Sequence, residues 1–455
     1  MTTSDIPPDL APDSWLAQHP QVRTIRVAAA DLNGQPRGKR IARRFAGKVE
    51  QEGTRFPLSV LNLDIWGEDI EDSPLVLDSG DQDGVLRPTE RGFIPMPWLN
   101  APTALLPVWM YREDGSRFDG DPRQALAQVM ERYTARGLTP VVATELEFYL
   151  IDDSTKVLRV PKSERSGKRR PGAETLALRA LDAFDNFFTD LYDYCEEMDI
   201  PADTAISEAG LGQFEINLMH SDDAMKAADD TWLFKVLVKG LARKYGFAAS
   251  FMAKPYEEYA GNGMHMHFSM LDRDGVNVFD DGTAKGSDLM RSAIAGCLRA
   301  IPDSTLLFAP HGNSYDRLVP GAHAPTRICW AYDNRTAAVR VPGGSHKARR
   351  IEHRVSGGDV NPYLMIAGVL GAALTGIEDN LAAPPPITGN AYTQPLPEMP
   401  GDWGTALAMF ETSEIMRRIL PDEMIRNLTL TKRQELRDYQ ELTPDEQVEL
   451  YLDTV

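Results

Sequence analysis

The sequence predicts an α+β protein of two domains, a small β-rich one at the N-terminus and a larger mixed one after it. Three observations lead there. The 455 residues exceed what one hydrophobic core usually holds. A hairpin pattern stands near the start. Farther on, apolar residues recur at three- and four-residue intervals, and between these stretches lie short runs that alternate strictly.

Residues 24–41 read as strand, turn, strand, because Asn33-Gly34 supplies the positive φ that a tight hairpin needs. The β-rich region runs into the polar stretch 112–122, where Asp121 caps a helix that opens with Pro122. This puts the boundary near residue 118 and gives domains of 1–118 and 119–455. Beyond it, Leu178, Leu181, Phe184, Phe188, Leu191 and Cys195 predict helix, as does the pattern over 232–245. Asn361-Pro362 opens another helix of small apolar residues. No fixed-period repeat occurs, and the proline-rich stretch 382–387 is a short loop.

Composition narrows the function. With 42% hydrophobic and 25% charged residues the chain is an ordinary folded protein. A net charge of −19 disfavours nucleic acid and anionic membranes as general partners. No run approaches the length of a membrane span, and residues 1–8 lack a basic region followed by an apolar one, so a cytoplasmic location is expected. Cys195, Cys297 and Cys329 fit neither a disulfide framework nor a zinc pattern and read as buried, reduced thiols.

The chemistry lies on strands. Successive strand side chains point to opposite faces, so residues i, i+2 and i+4 share one. In the run 141–150, Leu146, Phe148 and Leu150 face one way while Glu145 and Glu147 face the other. Gln213, Glu215 and Asn217 share a face, with Glu208 a short turn upstream. His265, His267 and Ser269 oppose Met264, Met266, Phe268 and Met270, and Arg350, Glu352 and Arg354 share a face. An antiparallel sheet with one solvated side would also alternate. However, a solvated face more often carries Lys, Thr and Ser, and adjacent carboxylates with no cation repel. Bound cations explain the pattern better. Hard oxygen ligands with one imidazole suit Mg²⁺ or Mn²⁺, and two such ions would accommodate the five glutamates and a histidine. Paired divalent ions suggest phosphoryl transfer.

The stretch 317–354 holds Arg317, Arg327, Arg335, Arg340, Lys347, Arg349, Arg350 and Arg354 against Asp333 and Glu352. Arginine grips phosphate and carboxylate bidentately, which fits a site for a triphosphate and a carboxylate substrate; surface ion pairs are the alternative. There is no Walker-type loop and no Gly-x-Gly-x-x-Gly fingerprint after a strand, so ATP would sit on the sheet. A His-x-His pair also occurs in cupins and amidohydrolases, but no Glu follows His267 at suitable spacing and neither explains the arginines.

These segments resemble the glutamine synthetase family over nearly the whole chain. The matching text includes Asp31-Leu-Asn-Gly, Asp121-Pro-Arg, Glu145-Leu-Glu-Phe, Gly212-Gln-Phe-Glu-Ile-Asn, Phe251-Met-Ala-Lys-Pro, Gly263-Met-His-Met-His, Asn313-Ser-Tyr-Asp-Arg-Leu-Val-Pro-Gly, Asn334-Arg-Thr, Lys347-Ala-Arg-Arg-Ile-Glu and Asn361-Pro-Tyr-Leu. The resemblance implies a β-grasp-like N-terminal domain, and a catalytic domain built on a curved antiparallel sheet flanked by helices. It implies one metal held by Glu147, Glu208 and Glu215 and another by Glu145, His265 and Glu352. His267, Ser269, Arg340 and Lys347 match nucleotide positions. Gly261, Arg317, Arg335 and Arg354 match glutamate positions, with Arg335 also near the transferred phosphate. The family's members form stacked hexameric rings, a dodecamer, with active sites at subunit junctions.

Two departures point to a branch. Where ammonia-using members carry an acidic flap residue, Gly321-Ala-His-Ala-Pro places His323. Where they carry an Asp that binds ammonium, the stretch 56–67 has no acid at the aligned place and offers Leu61 and Trp66. The resemblance therefore favours the γ-glutamyl-polyamine and γ-glutamyl-monoamine synthetase branch. The expected reaction is ATP-dependent formation of a γ-glutamyl amide from glutamate and an organic amine through γ-glutamyl phosphate, with His323 taking the amine's proton. An authentic glutamine synthetase and a non-catalytic structural or regulatory homologue are the alternatives. Tyr392 lies near where some relatives are adenylylated, but in different surroundings, and no such modification is expected.

Overall fold

The turn at Asn33-Gly34 closes the first hairpin. Gly34 takes φ +76°, and the carboxylate of Asp31 accepts from the backbone N–H of Asn33 and Gln35. The structure, a computed structural model, describes residues 14–155 and 157–455. The segment 1–8, read above for a leader, lies outside the described residues.

Strands β1 (Thr24–Ala30) and β2 (Pro36–Ala42) pair antiparallel. With β3 (Thr54–Pro57), β4 (Asp83–Pro88), β5 (Ile94–Pro95) and β6 (Thr103–Tyr111) they form a six-stranded sheet of order β2-β1-β6-β4-β3, with β5 on β6. β1 runs parallel to β6. Its period of two divides between two cores: Ile25, Val27 and Ala29 pack with Leu106, Val108 and Met110, while Ala28 and Ala30 join the main core.

The second sheet has eight strands: β7 (Thr139–Ile151), β8 (Ala202–Ser207), β9 (Gln213–Leu218), β10 (Ala248–Ser250), β11 (Met264–Leu271), β12 (Trp330–Tyr332), β13 (Val339–Val341) and β14 (Ile351–His353). The order is β12-β13-β14-β11-β7-β9-β8, with β10 on β7. Only β12 and β13 pair in parallel. Leu146, Phe148, Phe214, Ile216, Met264, Met266, Phe268 and Ile351 line its buried face. Helices α1 (Pro122–Ala135), α2 (Asp185–Glu197), α3 (Ala224–Lys244), α4 (Asp288–Phe308) and α5 (Pro362–Glu378) share that core.

The predicted caps form. Asp121 accepts from the N–H of Arg123 at 2.8 Å, and Asn361 accepts from those of Tyr363 and Leu364. These bonds satisfy helix-end donors that would otherwise lack partners. Asn361 also donates to the carbonyl of Asp31 at 2.7 Å, and Trp232 on α3 donates to that of Gly34 at 2.9 Å. The first turn is thereby fastened to the helices behind the second sheet.

The pattern from Leu178 to Cys195 is helical, but in two pieces: a short turn of helix, Leu178–Leu181, meets a 3-10 turn, Asp182–Phe184, before α2 begins. Leu178 is exposed, not packed. The three cysteines are free and buried. Among the described residues no helix is long and apolar enough to cross a membrane.

Candidate active site

Strand register brings the ionisable faces together. Glu147 pairs with Glu215 and Glu145 with Asn217 across β7 and β9. On the other side His265 pairs with Glu145, and His267 with Glu352 on β14. Glu208, just past β8, is set by its N–H donating to the carbonyl of Gln213. Side chains far apart in sequence thus meet on one concave face.

Glu145 stands at the centre. His265 Nδ1 lies 3.1 Å and His267 Nε2 2.8 Å from its two oxygens. Glu352 is fully buried; it accepts from Arg340 Nη1 at 2.7 Å and from Arg354, with both histidines 4.0 Å away. Two groups bring their ligand atoms within 4.8 Å of one another: Glu145, Glu215 and His265, and Glu145, His267 and Glu352. Glu147 is held by the N–H of Gly263 at 2.7 Å and approached by Gln213 Nε2 at 3.4 Å. A Cβ at Gly263 would stand 2.9 Å from Arg317 Nη2 and 3.1 Å from His265 Nε2, so any side chain there would displace these site groups.

The electrostatics divide the cluster. Burial, with the charge of Glu208, pushes Glu147 up to about 7. Burial also raises Glu208 and Glu215, the latter aided by the charges of Glu145, Glu147 and Glu208. Burial opposes ionisation of Glu145 and Glu352 too, but is outweighed by His265 and His267 at Glu145, and by Arg354, His265, His267 and Arg340 at Glu352. Burial and Arg354 lower His265 to about 4, leaving a neutral imidazole able to bind metal. Buried carboxylates that resist ionisation, the more so because they crowd one another, are what a divalent cation relieves. The donor set is therefore a fit for hard divalent ions.

This crowding carries a pH signature. A carboxyl raised in the fold contributes stability that is complete below its unfolded value of 4.5 and lost as pH rises through about 7. A divalent ion needs the ionised form. The gain in thermal midpoint on adding Mg²⁺ is thus expected to be small at pH 5.5 and to grow through pH 8. A gain independent of pH would contradict this.

The basic block divides as well. Arg317 is buried beside the cluster, with Nη1 donating to the carbonyl of Val355, and Arg354 and Arg340 grip Glu352. Arg335 and His323 are exposed, and both act on the charge of Glu208. His323 takes φ +61°, on the segment that leaves Arg317. The expectation of one site for the whole block is corrected: Arg327 pairs with Glu398, and Arg349 Nη2 turns to the carbonyl of Thr283. Gly261 abuts Arg317, its carbonyl accepting from Gln213 at 3.0 Å. Trp66 is exposed, but the expectation that Leu61 offers an apolar contact to the amine is corrected, since it is fully buried in the N-terminal core.

A cavity of about 950 Å³ opens from Glu145 and His267 along the sheet, lined also by Asn217, Ser269, Lys347 and Arg350. Sequence reasoning passed over three contacts. Gln213 ties Glu147 to the Gly261 loop. Arg350 Nε donates to His267 Nδ1 at 3.2 Å. Asp333, at φ +44°, holds Arg340 at 3.0 Å. Gln213 and Arg350 were visible on the polar faces of their segments; Asp333 gave no such signal.

A curved sheet flanked by helices, with paired carboxylates and histidines on its open face, defines a metal-dependent ligase architecture. The family description "Glutamine synthetase, catalytic domain" matches residues 119–451, and the chain belongs to the glutamine synthetase family of carbon–nitrogen ligases. It is 36% identical to the γ-glutamylputrescine synthetase PuuA of Escherichia coli K12, over 96% of this chain and 93% of that protein. It is 33% identical to the γ-glutamylethanolamide synthetase GlnA4 of Streptomyces coelicolor, over 91% and 89%. A solved GmaS/ADP complex superposes with a TM-score of 0.83 at 26% identity, covering 96% of this chain and 98% of that one.

Proposed function

We propose that this protein joins glutamate to an organic amine, forming a γ-glutamyl amide with conversion of ATP to ADP and phosphate. The observation that carries the reading is His323, exposed beside Glu208 where an ammonium-binding carboxylate would be needed. A compact ammonium ion requires such a carboxylate; an alkylamine gains from apolar contact instead.

Glu147, Glu208 and Glu215 would hold one Mg²⁺ or Mn²⁺, and Glu145, His265 and Glu352 the other. When bound, such ions neutralise charge on transferring phosphate. The nucleotide lies in the large cavity, against His267, Ser269 and Lys347, with Arg340, bound to Glu352 outside the cavity's lining, reaching its phosphates. Arg317, Arg354 and the Gly261 loop orient glutamate. Its γ-carboxylate oxygen attacks the terminal phosphorus of ATP and ADP leaves, with Arg335 stabilising the transferring group. The amine nitrogen then attacks the acyl carbon, phosphate leaves, and His323 takes the amine's proton.

The proposed boundary falls at residue 118, with 1–118 as a β-grasp-like domain and 119–455 as the catalytic one. The proposed assembly is a homo-oligomer of stacked hexameric rings in the cytoplasm.

Mass analysis of the product from ATP, glutamate and putrescine tests the reading; the γ-amide is expected, and absence of any amide with every amine and with ammonium would leave a non-catalytic homologue. His323→Ala is expected to slow amide formation by on the order of 10²-fold at pH 7. A wild-type rate would remove His323 from proton transfer.

A further inference from the structure

Lys347 sits in a short 3-10 turn, His346–Ala348, on an exposed rim of the large cavity, and Arg350 follows two residues after it. A single such turn has little stability of its own. It is fastened from outside, by the hairpin that returns after β11. The N–H of Asp272 donates to the carbonyl of Val276, and Leu271 bridges to Asn277, so the hairpin brings Asn277 back beside the strand that holds His267 and Ser269.

Asn277 spends its whole carboxamide on this junction. Nδ2 donates to the carbonyls of Lys347 at 3.2 Å and Arg349 at 2.8 Å, while Oδ1 accepts from the N–H of Phe279 at 3.0 Å. Two ties flank it: His346 Nδ1 lies 2.8 Å from Asp280, and Arg349 Nη2 donates to the carbonyl of Thr283 at 3.1 Å. Asn277 also lines the cavity itself. Among the described residues no other side chain bonds to two backbone groups of the segment 346–350.

We propose that Asn277 is a positioning residue for the nucleotide, locking the Lys347 turn against β11 so that Lys347 and Arg350 meet the phosphates already in place. The inference rests on reading the cavity as the ATP site. Fixing the backbone beneath a flexible lysine removes part of the ordering cost that binding would otherwise bear. The residue type matters: an aspartate of the same shape has no donor and would set negative oxygens against two carbonyls. The effect is confined to ATP, because Asn277 bonds to neither Arg317 nor Arg354.

Steady-state kinetics of the full-length enzyme, with ATP and glutamate varied in turn, test this on Asn277→Asp and on Asn277→Ala, which adds no charge. KM for ATP is expected to rise on the order of tenfold in Asn277→Asp, the effect of two lost hydrogen bonds together with a carboxylate set against two carbonyls. Asn277→Ala should show a smaller rise, with kcat and KM for glutamate within about twofold of wild type in both. An unchanged KM for ATP, or equal rises in both KM values, overturns the proposal. If wild-type protein itself shows no ATP-dependent phosphate release, the nucleotide reading and the proposal fall together; active wild type with unaltered variants sinks the proposal alone.

Discussion

Glu352→Ala is expected to destabilise the metal-free protein by about 3–5 kcal/mol, the cost of leaving buried charge without its partner. Glu352 is fully buried, and Arg354, at 5% exposure, and Arg340, at 11%, converge on it. Without the carboxylate the two guanidiniums face each other in a buried space beside His265. Denaturant titration in EDTA measures the loss, and a change under about 1 kcal/mol would show that water or Asp333 replaces the carboxylate. Activity should vanish with it, because a candidate metal ligand goes at the same time.

Glu145→Gln separates catalysis from stability. Glu145 touches both histidines and belongs to both candidate metal groups, so its loss should cut amide formation by on the order of 10²–10³-fold. The metal-free fold should barely notice. Glu145 is the first charge that raises Glu215, so removing it relieves repulsion while it costs the histidines a partner. A loss of activity matched by a collapse in stability would make Glu145 a structural residue.

Much of this site was legible in the sequence, because period-two alternation on β7, β9 and β11 requires no knowledge of neighbours. Glu145 and Glu147 must share a face whatever pairs with the strand. The caps at Asp121 and Asn361 were local chemistry and equally readable. Contacts between distant segments were not. Arg349 and Arg327 carry the same charge as Arg317 and Arg354, yet pairing with Thr283 and Glu398 takes them elsewhere. Asn277 bonds to Lys347 and Arg349 about seventy positions away, and nothing near it in the chain announces that. The helical spacing from Leu178 to Cys195 was read rightly, but not the 3-10 turn at Asp182–Phe184 that divides it, nor that Leu178 at its start is left exposed.

His323 and the lack of an acid at the place in the stretch 56–67 that aligns with the ammonium-binding Asp carry the choice of acceptor, and metal ligands alone say nothing about it. The most direct measurement is phosphate release from ATP with Mg²⁺ and glutamate, run in parallel with ammonium, putrescine, methylamine, isopropylamine and ethanolamine, with product masses checked. A strong response to an amine, with kcat/KM far above that for ammonium, is the predicted result. Preference for ammonium, with glutamine as product, would contradict it and return the protein to glutamine synthesis.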